Sequence, residues 1–304
     1  MRALTLTLAL CAVAGCHHEG SAAGPSSPFS GDSAMRYIKA QLDFGFRIPG
    51  TLAHRRTGDW IEAQMRARAD TVTVQTWTHV TEAGDTLPLR NIFARFRPEA
   101  AERVLYLTHW DTRPTSDEAS DPSRRTLPVP GANDGASGVA LFIALADVLK
   151  KTPPDVGVDL LFVDGEDYGD FGKGVDVLLG SRYFAKHFPS AGYRPLYGVL
   201  WDMIGDANLQ IYQEGNSLQR APEVVSRVWS TAADLGLSQW FIPRAGQHIT
   251  DDHIPLLDAG LRVIDVIDYD YQPYHHTPED TFDKVSQASM KLVGDVAVRL
   301  LMAR

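Results

Sequence analysis

Acidic and histidine side chains recur in this chain directly after short apolar segments. His109 and Asp111 follow one such segment, Glu166 and Asp167 follow a second, and Asp202 follows a third. Carboxylates and imidazoles gathered in one place would repel and desolvate one another unless a cation compensated them. Oxygen and nitrogen donors without a thiolate suit zinc in a catalytic site that keeps a position open for substrate. The pattern therefore predicts a catalytic zinc centre.

Two further parts of the chain carry residues of the same types. Asp134 lies in a turn of small residues at 131–138, and the pair His275 and His276 lies in a loop near the carboxyl end. A single acidic residue at such a position is commonly a helix cap or a turn residue. The repetition of these residues after several apolar segments favours one shared site.

The elements that must position these residues alternate between apolar strands and amphipathic helices. The pattern predicts strands at 72–77, 91–96, 104–107, 158–163, 197–201 and 263–267. It predicts helices at 32–43, 54–69, from the 131–138 turn to about 150, at 222–235 and from about 284. The expected fold is an α/β three-layer sandwich around a central mixed, mostly parallel β-sheet. Ligands of such sheets bind at the carboxyl ends of the strands, where we expect the zinc site.

The ordered motifs resemble those of the zinc-dependent aminopeptidase and glutaminyl cyclase superfamily. The matching segments are His109-Trp110-Asp111, Gly131-Ala132-Asn133-Asp134-Gly135, Glu166-Asp167, Asp202 and His276. The resemblance implies that Asp134, Asp167 and His276 are zinc ligands and that Glu166 is the general acid and base. It implies that Asp111 lies behind His109. The chain departs from the pattern at Asp167, where Glu is usual.

The two branches of this superfamily differ in the nucleophile. In the aminopeptidase branch, His109 and Asp202 would join a second zinc bridged through Asp134, and Glu166 would deprotonate water. In the cyclase branch, a single zinc would polarise the γ-carbonyl of an N-terminal glutamine, and the α-amine of the substrate would attack it. Glu166 would then pass the proton to the leaving ammonia.

The segment Asp251-Asp252-His253-Ile254-Pro255 resembles animal-type glutaminyl cyclases more closely than aminopeptidases. We therefore predict a glutaminyl-peptide cyclotransferase with one zinc, in which Glu166, Asp202 and Asp251 share a proton. A di-zinc aminopeptidase is the alternative, and a non-catalytic binding lipoprotein is a second one.

Aromatic residues are expected around the substrate. The cyclases place tryptophans at positions that correspond to Gly172 and His275, so other side chains would have to form the wall. We expect Phe171, Tyr271 and His275 to line the substrate pocket.

Composition limits the partners of the chain. It has 304 residues and a formal charge of −9, and its lysines and arginines are scattered rather than clustered. This argues against a nucleic-acid surface and favours a small or peptide substrate. The resemblance implies that the substrates are peptide or protein N-termini. Length and the lack of an internal linker predict one catalytic domain at 32–304.

The amino-terminal segment predicts export. Residues 1–15 combine Arg2 with a short apolar run, and Val13-Ala14-Gly15-Cys16 is similar to a bacterial lipobox. Cleavage before Cys16 would leave a lipid-anchored protein in the cell envelope, on the periplasmic or outer-membrane face. Residues 16–31 are predicted to be a flexible tether. The only cysteines are Cys11 and Cys16, so the predicted domain has neither a disulfide nor a thiol ligand.

Overall fold

The computed structural model describes residues 27–302, which form a central six-stranded sheet with the strand order β1-β2-β4-β3-β5-β8. Its strands are β1 (Thr71–Val80), β2 (Thr86–Phe96), β3 (Arg103–His109), β4 (Gly157–Val163), β5 (Tyr197–Asp202) and β8 (Val263–Ile267). Strands β4, β3, β5 and β8 are parallel to one another. Strands β1 and β2 form an antiparallel pair at one edge, and β2 is also antiparallel to β4. The predicted mixed, mostly parallel sheet is confirmed.

Helices cover both faces of the sheet. They are α1 (Gly31–Leu42), α2 (Leu52–Arg66), α3 (Ala136–Lys151), α4 (Leu179–Lys186), α5 (Gly215–Arg220), α6 (Pro222–Asp234), α7 (His253–Asp258) and α8 (Gln287–Met302). Alternate residues of each strand point to opposite faces. In β3, Val104 and Tyr106 join the core under α1, α3 and α8, whereas Leu105 and Leu107 join a smaller core under α4 and α7. The result is the predicted three-layer sandwich.

The short elements of the carboxyl-terminal half were not predicted from sequence. They include α4, α5, α7 and a two-stranded parallel sheet of β6 (Ile211–Gln213) and β7 (Phe241–Ala245). Segments this short do not complete enough of a helical or strand period to be recognised. Their packing on the large sheet stabilises them.

Helix α3 packs closely on the strands that carry the site. A side chain at Gly138 would bring its Cβ within 2.0 Å of Thr108 Oγ1 and 2.5 Å of the Trp201 carbonyl oxygen. Only glycine permits this approach, which brings the start of α3 against the ends of β3 and β5. The turn before α3, which contains Asp134, is thereby held at that edge of the sheet.

The folded domain begins earlier than predicted. Phe29 is only 3% exposed and packs in the main core, where its ring covers Gly294 of α8. Ser30, rather than Asp32, caps α1, because its side chain accepts a hydrogen bond from the Ser33 amide at 3.2 Å. The last residues of the predicted tether therefore belong to the domain.

The predicted signal segment and the lipidation site at Cys16 lie outside residues 27–302 and stay predictions. Among residues 27–302, every helix is too short or too polar to cross a bilayer.

Phe29 offers a test of where the domain begins. Phe29→Ala would leave a cavity above Gly294, and we expect it to lower the free energy of unfolding by about 3 kcal/mol in urea titrations. Phe46, which is 43% exposed, provides the control, and Phe46→Ala should change stability by about 0.5 kcal/mol. Equal effects of the two substitutions would contradict the assignment of Phe29 to the core.

Candidate metal centre and active site

The predicted site residues meet at the carboxyl ends of the parallel strands. His109 and Asp202 are the last residues of β3 and β5, and Glu166 and Asp167 follow the end of β4. His276 lies in the loop after β8, where it adopts a positive φ of 50°. The sheet thus assembles residues that are far apart in the chain, as the sequence pattern predicts.

Three groups of described residues could hold a metal ion, and one of them consists of Glu118, His275 and His276. The other two share Asp134 and are called the first and second clusters; Asp134, Asp167 and His276 form the first. Their nearest ligand atoms all lie within 4.8 Å of one another. His276 Nε2 is 3.5 Å from Asp134 Oδ2 and 3.3 Å from Asp167 Oδ1. Asp167 Oδ2 is buried and has no hydrogen-bond partner among the described residues. An unpartnered carboxylate oxygen beside a second carboxylate and an imidazole is what a zinc ion would satisfy, so the residues fit this metal.

The second cluster consists of His109, Asp134 and Asp202. His109 Nε2 lies 3.0 Å from Asp134 Oδ1 and 3.2 Å from Asp202 Oδ1. Burial lowers the pKa of His109, but Asp202, Asp111 and Asp134 outweigh this effect and raise it well above its usual value. Asp134 belongs to both clusters, so it could bridge two ions or bind one ion while pairing with His109.

Asp134 is held by a buried carboxyl that the sequence did not single out. Asp280 accepts hydrogen bonds from the backbone amides of Asn133 at 2.8 Å and Asp134 at 3.1 Å. The Tyr271 hydroxyl donates to Asp280 Oδ1 at 2.8 Å, and Tyr271 is fully buried. The prediction that Tyr271 lines the substrate pocket is therefore wrong, because its hydroxyl is used inside the protein to orient Asp280.

Asp111 organises the loop that carries Glu166, the predicted general acid and base. Its Oδ1 accepts from the Glu166 amide and its Oδ2 from the Asp167 amide, both at 3.1 Å. Asp111 Oδ1 also lies 3.6 Å from His109 Nδ1, so Asp111 does lie behind His109. One side chain therefore positions residues of two neighbouring strands.

Arg113 balances the charge of Asp167. Its Nη1 donates to Asp167 Oδ1 at 2.6 Å, while its Nε and Nη2 bind the two oxygens of Asp117 at 2.7 and 2.8 Å. Asp167 is one methylene shorter than the usual Glu, and the guanidinium occupies one of its oxygens. The other oxygen is left for a metal ion.

Glu166, Asp202 and Asp251 line a single cavity of about 450 Å³ beside both clusters. All three are at most 6% exposed. Burial raises the pKa of Glu166 well above its usual value, and the charge of Asp251 adds to this although His109 opposes it. Burial together with the charge of Asp202 raises the pKa of Asp251 as well. Glu166 and Asp251 therefore keep a proton to a higher pH than isolated carboxyls do.

The cavity wall differs in part from the predicted one. Phe171 and His275 line it as expected, and the His275 ring stacks on His276 at 3.7 Å. Tyr269 lines it too and was missed. No local pattern separates Tyr269 from Tyr271, which lies two residues further along the chain and is fully buried.

The residues next to Asp251 lie beneath the cavity. Asp252 is fully buried, and its Oδ1 accepts a hydrogen bond from the Ser181 hydroxyl at 2.5 Å. Burial is the main reason that the pKa of Asp252 is raised to about 7. His253, at the start of α7, lies 3.3 Å from the buried carboxylate of Glu214. The loop with Asp251 is therefore fixed from below by α4 and α5.

Asp252 should make stability depend on pH. Between about pH 4 and its raised pKa of about 7, folding keeps a proton on Asp252 that the unfolded chain releases. A rise in pH through this window should lower the free energy of unfolding, by up to about 1.4 kcal/mol per pH unit. Asp252→Asn preserves the acceptor for Ser181, so urea titrations should show a shallower fall. Parallel pH profiles of the two proteins would contradict this assignment.

The fold and its two carboxylate and histidine clusters define a zinc-dependent enzyme of the exopeptidase and cyclase class. The model of Peptidase family M28 matches residues 91–301, so the chain belongs to that family.

Relatives of both reaction types are similar to the chain. Glutaminyl cyclase from Porphyromonas gingivalis superposes with a TM-score of 0.86 and 39% identity, over 90% of this chain and 98% of that one. A Zn-dependent exopeptidase from Parabacteroides distasonis superposes with a TM-score of 0.87 and 35% identity, over 92% and 99%. Aminopeptidase YwaD of Bacillus subtilis is 24% identical over 77% of this chain but only 47% of its own length.

Proposed function

We propose that the protein is a glutaminyl-peptide cyclotransferase, which converts an N-terminal glutamine of peptides or proteins into pyroglutamate and releases ammonia. The observation that carries this proposal is the position of Asp251, which is 3% exposed and lies in the same cavity as Glu166 and Asp202. A cyclisation needs a group that accepts a proton and returns it within one turnover. Glu166 and Asp251, neighbouring carboxyls whose pKa values are both raised, suit that task.

The reaction assigns a separate role to each side chain. Glu166 accepts a proton from the substrate α-amine as the amine nitrogen attacks the γ-carbonyl carbon. When the bond between that carbon and the amide nitrogen breaks, Glu166 returns the proton to the nitrogen, which leaves as ammonia. Asp202 and Asp251 keep the proton affinity of Glu166 high enough for both transfers. Every atom of the product comes from the substrate, so no water is consumed.

Asp134, Asp167 and His276 would hold zinc beside Glu166. The zinc would supply a Lewis acid that polarises the γ-carbonyl. Because Glu166 belongs to neither cluster, it remains free to move protons. His109, fully buried between Asp134 and Asp202, would balance their charge in a centre with one metal ion.

A di-zinc aminopeptidase is the second candidate, and the cluster of His109, Asp134 and Asp202 supports it. In that enzyme His109 and Asp202 would be ligands of a second ion, and Glu166 would take a proton from an attacking water. The two functions therefore differ in whether His109 and Asp202 bind a metal ion or only shape the cavity.

Two substrates separate these functions. We expect the zinc-loaded protein to release ammonia from a Gln-initiated peptide, with a product 17 Da lighter by mass spectrometry. The peptide bonds should stay intact, since the amine attacks within its own residue. A Leu-initiated chromogenic amide is the control and should not be cleaved. Release of leucine without any cyclisation, together with about two zinc ions per chain, would establish the aminopeptidase instead.

Glu166 should be essential for turnover and dispensable for metal binding. Glu166→Gln removes the proton carrier but no ligand, so kcat should fall by at least about 10²-fold while the zinc content stays at the wild-type level. Asp170→Asn, at an exposed position of the same cavity, is the matched control and should leave kcat near the wild-type value. Assays of ammonia release combined with metal analysis check both. Retained activity of Glu166→Gln would refute the role of Glu166.

A further inference from the structure

A second cavity adjoins the active-site cavity. It has a volume of about 370 Å³ and lies between the loop after β7 and the segments that follow β6 and β8. The two cavities share Ile249, Ile267 and Tyr269 as lining residues. These three side chains therefore form a common wall of the two cavities.

The shared wall is held in place by polar contacts behind it. The Ile249 amide donates to Glu214 Oε1 at 2.9 Å, and Asn216 Nδ2 donates to the Ile249 carbonyl oxygen at 2.8 Å. Both backbone polar groups of Ile249 are thus satisfied, and its side chain is left to face the cavities. On the other side, the Tyr269 ring lies 5.6 Å from the His275 ring. A wall fixed in this way is suited to a binding site that is formed before the ligand arrives.

The less exposed lining of the second cavity is mainly aromatic and aliphatic. Tyr212 forms part of it, with the Arg244 guanidinium 5.3 Å from its ring. Glu214 also reaches it, but both of its oxygens accept hydrogen bonds from the amides of Asn216, Ser217 and Ile249. Gln247 and Asp270 line the cavity too, and both are exposed, so their polar groups stay in contact with solvent. An apolar side chain would bury its surface there without leaving a polar group unpaired.

We propose that this second cavity is a subsite for an apolar side chain on one of the two residues that follow the N-terminal residue of the substrate. The inference rests on the proposed function in one respect, namely that the N-terminal residue occupies the cavity of Glu166. An extended chain advances about 3.3–3.6 Å per residue, so the second or third residue would pass the wall of Ile249, Ile267 and Tyr269. The substrate class is then peptides with a glutamine N-terminus followed closely by an aliphatic or aromatic residue.

Kinetics on a matched peptide series tests the subsite. The substrates are Gln-Leu-Ala-Ala and Gln-Ala-Leu-Ala amides, their counterparts with Ser in place of Leu, and the short Gln-Gly amide. One of the two Leu peptides should have a kcat/KM about tenfold higher than that of its Ser counterpart. Most of the difference should come from a lower KM, because the subsite would bury the Leu side chain. Equal kcat/KM values throughout the series would overturn the subsite and leave the cyclotransferase function standing.

Two variants of the zinc-loaded protein locate the preference. Ala245→Trp places a large ring in the second cavity and should abolish the advantage of the Leu peptide, while turnover of the Gln-Gly amide stays unchanged. Tyr212→Ala removes one wall and should reduce the same advantage. Tyr183→Ala, at a half-buried tyrosine stacked on Trp77 elsewhere on the protein, is the control and should retain it. An undiminished Leu preference in Ala245→Trp would overturn the assignment to this cavity.

The same series with Leu in place of the N-terminal Gln separates the two hypotheses. Cleavage of these peptides with a preference for Leu over Ser after the N-terminal residue, without any cyclisation of the Gln series, would refute the cyclotransferase function. It would support the subsite. Absence of turnover in both series would refute both.

Discussion

The concentration of buried carboxyls at one edge of the sheet is the constraint on which the site depends. Asp134, Asp167, Glu166, Asp202 and Asp251 are all at most 6% exposed. All of them except Asp167 line one cavity, and Asp167 lies directly behind its His276. Each would be costly to bury in its charged form without compensation. The protein supplies part of that compensation, with the Arg113 guanidinium on Asp167 and the His109 ring between Asp134 and Asp202. A cation at the first cluster would supply the rest.

This constraint explains why side-chain carboxylates hold the backbone around the site through hydrogen bonds. Asp111 holds the amides of Glu166 and Asp167, and Asp280 holds those of Asn133 and Asp134. Carboxylates that accept backbone hydrogen bonds fix the chain at two turns without occupying the functional side chains. Without these hydrogen bonds, mutual repulsion would move the candidate ligands apart. Stability and chemistry are therefore linked through the same buried groups.

The fold could be predicted from the sequence wherever the pattern was long and regular. Mostly apolar segments such as Gly157–Val163 and the amphipathic Pro222–Asp234 have a clear pattern, and their alternation along the chain indicates a mostly parallel sheet. Helix α7 and strands β6 and β7 lacked that signal because they are a turn or a few residues long. Their conformation follows from packing on β8 and α6. The same holds for Phe29, which is an isolated apolar residue in the sequence but covers a glycine of α8 in the fold.

By itself the sequence determined the residue types of the site and the edge of the sheet where they meet. The carboxyl ends of parallel strands lie at the same edge of a sheet, so residues that follow those ends come together however the core is packed. Tertiary structure alone decided which way each side chain points. Tyr271 and Tyr269 are two residues apart and equally aromatic, yet Tyr271 turns inward to Asp280 and Tyr269 faces the cavity. The partners of Asp167 and Asp252, Arg113 and Ser181, come from distant segments. Such pairings depend on distances across the folded chain, which no local pattern contains.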